Sequence, residues 1–144
     1  MANNHDDPAG LFALATLMRE RAYAPYSGYR VGAALLDASG RAWGGCNVEN
    51  VSFGLCVCAE RSAISRMVSE GAGEIAEIVV ATEDGGTPCG MCVQSLLEFA
   101  PDPVNVRVRT LDEAGNARVF TLQELMPHAF ASKSVRTKGG PDRS

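Results

Sequence analysis

The sequence predicts an α/β fold, a three-layer α/β/α sandwich around a mixed five-stranded sheet. Three observations lead there. Segments of helical and extended periodicity follow one another in the order αββαβαββα. Links too short for anything but hairpins join the first two strands and the last two, so each of those pairs runs antiparallel. A single chain of 144 residues, 46% of them hydrophobic, is long enough to bury one proper core. One domain is expected over residues 1–135, with 136–144 as a loose polar tail.

Asp7-Pro8 reads as a cap followed by proline at the first helical position. Leu11, Leu14, Ala15, Met18 and Ala22 then recur at helical spacing, an amphipathic helix without chemistry of its own. The turn-rich Ala24-Pro25-Tyr26-Ser27-Gly28 delivers the chain to an apolar run from Tyr29 to Asp37, read as a buried strand. Asp37-Ala38-Ser39-Gly40 is a hairpin turn, and Arg41 to Cys46 returns antiparallel. A helix begins at Cys58 with Ala59, Ala63, Ile64 and Met67 on its apolar face, and Gly71-Ala72-Gly73 ends it. Glu74 to Thr82 is a central strand, and Pro88 opens a second helix, Cys89 to about Phe99, which Pro101-Asp102-Pro103 stops. Val104 to Arg109 alternates strictly, with Arg107 and Arg109 on a solvated face; a short turn leads to the last strand, Ala117 to Thr121, and a short final helix.

Chemistry concentrates in two segments. Cys58 opens the first of the two cysteine-bearing helices, and Cys89 and Cys92 form a C-x-x-C pair at the start of the second. Thiols at helix starts ionise readily, because free N–H groups and the helix dipole favour an anion. Three such thiols make a zinc (Zn²⁺) cage with a fourth direction open to water, which is the habit of catalytic rather than structural zinc. Glu60, in the first turn after Cys58, is the carboxylate placed to act as general acid and base there. Arg61 shares the face of Cys58 and is expected to temper the negative charge of three thiolates. A closed four-thiolate structural site with Cys56 as fourth ligand is the sharpest rival, and it leaves Glu60 unexplained.

Cys58-Ala59-Glu60-Arg61 followed by Pro88-Cys89-Gly90-Met91-Cys92-Val93-Gln94 resembles the cytidine deaminase family, in its small free-nucleoside type with three cysteine ligands. Ala24-Pro25-Tyr26-Ser27, Val31 to Leu35, Gly45 to Asn50 and Leu125 to Phe130 extend the likeness over nearly the whole chain. The resemblance implies strand order 2-1-3-4-5, hydrolysis of cytidine and 2′-deoxycytidine to the uridines with release of ammonia, and a homotetramer with shared active sites. It implies Cys58, Cys89 and Cys92 as zinc ligands and Glu60 as the acid–base group. Asn47 and Glu49 are expected at the ribose, with Tyr29, Ala59 and Phe130 also lining the substrate and Gln94 supporting the thiolates. Val93 departs from the pattern, because the family commonly carries Arg there.

The formal net charge of −4 argues against a nucleic-acid partner, and no run approaches membrane-spanning length. Met1 to Asp7 has no basic patch followed by an apolar core, and the odd count of five cysteines does not read as a disulfide framework, so a reducing cytoplasm is expected. Another aminopyrimidine substrate of the blasticidin type, a zinc-stabilised binding protein and a nucleic-acid deaminase stand as the alternative functions.

Overall fold

A computed structural model describes residues 7–130, so the expected tail at 136–144 and the domain boundary at 135 lie outside the described residues. Five strands form one sheet in the order β2-β1-β3-β4-β5. They are β1 (Gly32–Asp37), β2 (Ala42–Cys46), β3 (Ile75–Ala81), β4 (Arg107–Leu111) and β5 (Ala117–Thr121). β1 pairs antiparallel with both β2 and β3, β3 and β4 are parallel, and β4 and β5 close the sheet antiparallel. Four α-helices complete the fold: α1 (Leu11–Arg21), α2 (Ala59–Ser69), α3 (Gly90–Glu98) and α4 (Leu122–Leu125).

The pleat sorts side chains to two cores. Ala33, Leu35, Ile78, Val80 and Val108 face α2 and α3, where Ala59, Ala63, Ile64, Met67 and Leu96 meet them. Ala34, Val79 and Ala81 face the other way, onto Leu11, Phe12 and Ala15 of α1. All four residues expected on the apolar face of α2 are buried, and so are Leu11, Ala15, Met18 and Ala22 of the first helix.

Several boundaries differ from the sequence reading. Pro8 is not the first residue of α1; Pro8–Gly10 makes a separate 3₁₀ turn with Ala9 and Gly10 in left-handed conformation, and α1 starts at Leu11. Asp7 still caps the helix, reaching past the turn to accept the N–H of Phe12 at 2.7 Å and that of Ala13 at 3.4 Å. β1 begins at Gly32 rather than Tyr29, because the preceding residues bond to loop side chains instead of a strand. β4 begins at Arg107 rather than Val104: residues 103–105 form a turn, with Asn105 N–H donating to the carbonyl of Asp102, and Val104 is exposed. Arg109 is not merely solvated, since it pairs with Glu77 across the parallel β3–β4 register. The hairpin turn is as read, and it is centred on Asp37, whose carboxylate accepts Ser39 N–H and Oγ–H, Arg41 N–H and the Trp43 indole N–H at 2.6–3.1 Å.

Because β1 runs antiparallel to β2 and β3, its beginning lies beside their ends: Gly32 pairs with Cys46 on one side and Ala81 on the other. The loops that leave β2 and β3 therefore emerge together, each running on to the start of a helix on the same face of the sheet.

Candidate active site

Cys58 is the N-cap residue of α2, and Cys89 is the N-cap residue of α3 with Cys92 in its first turn. The three Sγ atoms lie within 4.8 Å of one another. A tetrahedral zinc ion with Zn–S bonds of about 2.3 Å needs its sulfurs roughly 3.8 Å apart, so a small closure brings this triad to binding geometry. Cys92 is buried, Cys58 half-buried and Cys89 exposed, which leaves one side of the cluster open. Cys56 stands outside the cluster: its sulfur accepts the N–H of Asn50 at 3.3 Å. A closed four-thiolate arrangement is not what the described residues form.

Electrostatics suit a cation held by thiolates. Arg61 directs one guanidinium nitrogen to the Cys58 sulfur at 3.9 Å and to the Cys56 carbonyl at 3.3 Å, while its buried Nε has no partner. The hydrogen bond to Cys58 holds the guanidinium pKa above its ordinary value despite partial burial. A buried guanidinium with one nitrogen unanswered matches sulfurs that carry negative charge, the form in which cysteines bind zinc. The chain therefore carries the donor set for Zn²⁺. Burial pushes the Cys92 thiol well up, with the Glu60 charge adding to it. At Cys89 burial works the same way, but the N–H of Cys92 and the neighbouring thiols outweigh it and leave that thiol below its usual value.

Glu60 is the second residue of α2 and only 4% exposed. Burial raises its pKa; the N–H at its own helix start, the Cys92 thiol and the Arg61 charge oppose the rise without cancelling it. Ala59, beside it, has a fully buried side chain and offers only backbone.

Asn47 and Glu49 lie where β2 leaves the sheet, pinned by N–H to carbonyl bonds between Glu49 and Tyr23 and between Tyr23 and Asn47. Both side chains bond to residues 26–31. Asn47 accepts the N–H of Val31 at 2.9 Å and donates to the carbonyl of Tyr29 at 2.8 Å. Glu49 accepts the N–H groups of Tyr26 and Ser27 at 2.9 and 3.1 Å on one oxygen, and the Ser27 hydroxyl at 2.6 Å on the other. The Ser27 hydroxyl bond holds the Glu49 carboxyl below its usual range. Each carboxylate oxygen has two lone pairs, so one acceptor site on Glu49 stays free for a ligand.

Tyr29 donates its hydroxyl to Asp84 at 2.7 Å and lines a pocket with Glu83, Asp84, Asp112, Glu113 and Ala114. Burial and the Asp84 bond both raise its pKa. Gln94 was expected beside the thiolates; its amide nitrogen instead donates to the carbonyl of Phe130 at 2.9 Å, fixing the segment after α4 while the Phe130 ring stays 67% exposed. Val93 is a core residue, 2% exposed. Ser27 and Asp84 did not stand out in the sequence. Their signals were a serine and an aspartate each next to glycine in a turn, which mark turns without marking partners.

Known proteins resemble this chain in sequence and fold. Residues 7–108 match the family model described as the cytidine and deoxycytidylate deaminase zinc-binding region. Cytidine deaminase of Halalkalibacterium halodurans is 40% identical over 119 residues, covering 81% of this chain and 89% of that protein. A probable cytidine deaminase of Dictyostelium discoideum is 48% identical over 127 residues, covering 86% and 84%. The crystal structure of cytidine deaminase from Burkholderia pseudomallei superposes with a TM-score of 0.79 at 42% identity, covering 84% of this chain and 97% of that one. With its sheet order, its thiol triad and these relatives in agreement, the chain belongs to the cytidine deaminase family of zinc-binding hydrolases.

Proposed function

We propose that this protein hydrolyses cytidine and 2′-deoxycytidine to uridine and 2′-deoxyuridine, releasing ammonia, and so serves pyrimidine salvage. The observation that carries the reading is a three-thiol cluster open on one side with a buried carboxylate, Glu60, next to it. Cys58, Cys89 and Cys92 hold zinc, which supplies a Lewis acid able to acidify a water molecule near neutral pH. Glu60 takes one proton of the attacking water on a carboxylate oxygen and passes it to ring N3 as the oxygen adds to C4. It then takes the remaining hydroxyl proton and delivers it to the amino group, which leaves as ammonia while the C4 carbonyl forms. Arg61 offsets the thiolate charge, and Gln94 holds the carbonyl of Phe130. Asn47 and the free acceptor of Glu49 take a sugar hydroxyl, the N–H of Ala59 faces the base, and the ring of Tyr29 forms a wall.

The same reading makes the enzyme a homotetramer whose subunits complete one another's sites. Phe130 is exposed near the second cysteine-bearing helix, and Val51, Phe53 and Leu55 form a further apolar stretch, with Phe53 73% exposed and its ring edge-on to that of Tyr26. Five free cysteines suit a reducing cytoplasm. Among the described residues no helix is long and apolar enough to cross a membrane. The partner is a small nucleoside, and the net charge of −4 is unlike that of a nucleic-acid binder.

The test follows ammonia release and the ultraviolet change on cytidine and deoxycytidine, with Glu60→Gln alongside. The parent turns over both substrates. The variant keeps zinc and loses roughly 10²–10⁴-fold in turnover, the usual contribution of a positioned acid–base group. Full turnover by a metallated Glu60→Gln protein refutes the assignment of Glu60, and silence of the zinc-loaded parent on both nucleosides refutes the substrate.

A further inference from the structure

Glu49 and the Cys89 loop are joined by a continuous line of hydrogen bonds that passes through Tyr29. At one end Ser27 donates its hydroxyl to Glu49 at 2.6 Å and accepts the N–H of Tyr29 at 3.0 Å. Asn47 grips the carbonyl of Tyr29 from the same loop, so the backbone of this residue is held on both sides. At the other end the Tyr29 hydroxyl donates to Oδ1 of Asp84 at 2.7 Å. That oxygen also accepts the N–H of Gly86 at 3.2 Å and the Thr82 hydroxyl at 3.3 Å, and the same N–H reaches the Thr82 hydroxyl at 3.0 Å. Asp84 is thus the centre of the turn between β3 and Cys89, a turn that needs Gly85 at a φ of 72°. Gly86 is closely packed as well, since a Cβ there would stand 3.1 Å from the Tyr29 hydroxyl oxygen and 3.3 Å from Oδ1 of Asp84.

We propose that Tyr29 is a positioning residue for the metal site as well as a wall of the nucleoside pocket: its hydroxyl, through Asp84, fixes the loop that presents Cys89. The proposal rests on the reading of Cys58, Cys89 and Cys92 as a zinc site. A ring alone, as in phenylalanine, forms the wall equally well and lacks the strut. Losing one hydrogen bond to an exposed carboxylate corresponds to roughly a three- to tenfold change in an equilibrium constant at most. That change is expected in zinc affinity, a quantity that stacking against a nucleoside does not touch.

The experiment is competition for zinc between the protein and a chromogenic chelator, without substrate, for the parent, Tyr29→Phe, Asp84→Asn, Asp84→Ala and Tyr29→Phe/Asp84→Ala. Tyr29→Phe binds zinc about three- to tenfold more weakly, while its apo form stays folded by circular dichroism and loses no more stability to urea than the one bond supplies. Asp84→Asn, which keeps an acceptor oxygen for the hydroxyl and for Gly86, remains near the parent. In the Asp84→Ala background the Tyr29→Phe effect disappears. Should Asp84→Ala fail to fold by circular dichroism, the parent against Tyr29→Phe decides alone. Unchanged zinc affinity in Tyr29→Phe overturns the proposal even if KM rises, and so does weaker zinc binding by a Tyr29→Phe protein whose apo form no longer folds. A parent that binds no zinc overturns the metal-site reading itself, an outcome distinct from both.

Discussion

Replacing Gly45 by alanine tests whether the seat of α2 governs the site. Gly45 lies in β2 opposite Ala33 of β1 and faces α2. A Cβ there would stand 2.3 Å from the N of Ala63, 2.6 Å from the O of Ala59 and 2.9 Å from the Cα of Ala63. All three atoms are backbone, so no side chain can swing aside, and restoring van der Waals distance requires strand and helix to part by about 1 Å. Overpacking of this kind costs about 1–3 kcal/mol, and contact with backbone alone places it in the upper half of that range. For a chain of 144 residues each kcal/mol corresponds to roughly 2–4 °C, which gives a fall in Tm of about 4–12 °C. The displaced helix carries Cys58 at its cap and Glu60 in its first turn. An error of 1 Å in a catalytic group costs on the order of 10²-fold in rate, so turnover falls more steeply than stability. Thermal melts by circular dichroism, zinc content and cytidine turnover measure all three. A Gly45→Ala protein melting within about 1 °C of the parent, with zinc and turnover intact, would refute the reasoning.

Two further substitutions probe the core and its charges. Asp37 is held at a pKa of about 2, since the bonds from Ser39, Trp43 and Arg41 together overcome the opposing effect of burial. A folded pKa below the unfolded value contributes stability that is complete above roughly pH 4 and is lost as pH falls through about 2; Asp37→Asn is therefore less stable than the parent at pH 7, and the gap in urea midpoint narrows measurably by pH 3. Val93→Arg, which restores the residue common in the family, puts a guanidinium at a core position 2% exposed and lowers Tm by on the order of 10 °C, the effect of an unpaired buried charge; an unchanged melt would show that the α3 core has room and a partner for it.

What the sequence disclosed was local. Ala59, Ala63, Ile64 and Met67 repeat at the helical period, and the ligand cysteines declare themselves because each sits at a helix start next to its own signature residues. Those features depend on neighbours within a few positions. The position of β1 between β2 and β3 depends on pairings across the whole chain, and only the family resemblance supplied it. Asn47 and Glu49 were singled out through the family resemblance; that they grip residues 26–31 was not legible, because those bonds span 16 to 23 positions. The bond from Tyr29 to Asp84 spans 55. At the element boundaries the misses are due to local backbone turns. Ala9 and Gly10 adopt left-handed conformations that displace the start of α1, and the regular alternation from Val104 to Val106 is overridden by a turn that the preceding Pro101 and Pro103 favour.

The fold explains why the site forms where it does. Two helices follow two strands that end at the same edge, so both helix starts arrive side by side with their unpaired N–H groups toward the thiols. That field favours thiolates, as at Cys89, yet burial and the nearby Glu60 charge push Cys92 the other way. Three sulfurs and a carboxylate in so small a volume cannot all be anionic on the strength of Arg61 alone. Zinc held by the three sulfurs would resolve the conflict: Cys92 could then lose its proton, and the Arg61 guanidinium would face a fully ionised set of sulfurs. On the proposed reading the same neutralisation would leave Glu60 able to exchange protons, so metal binding and acid–base readiness would arise from one electrostatic balance.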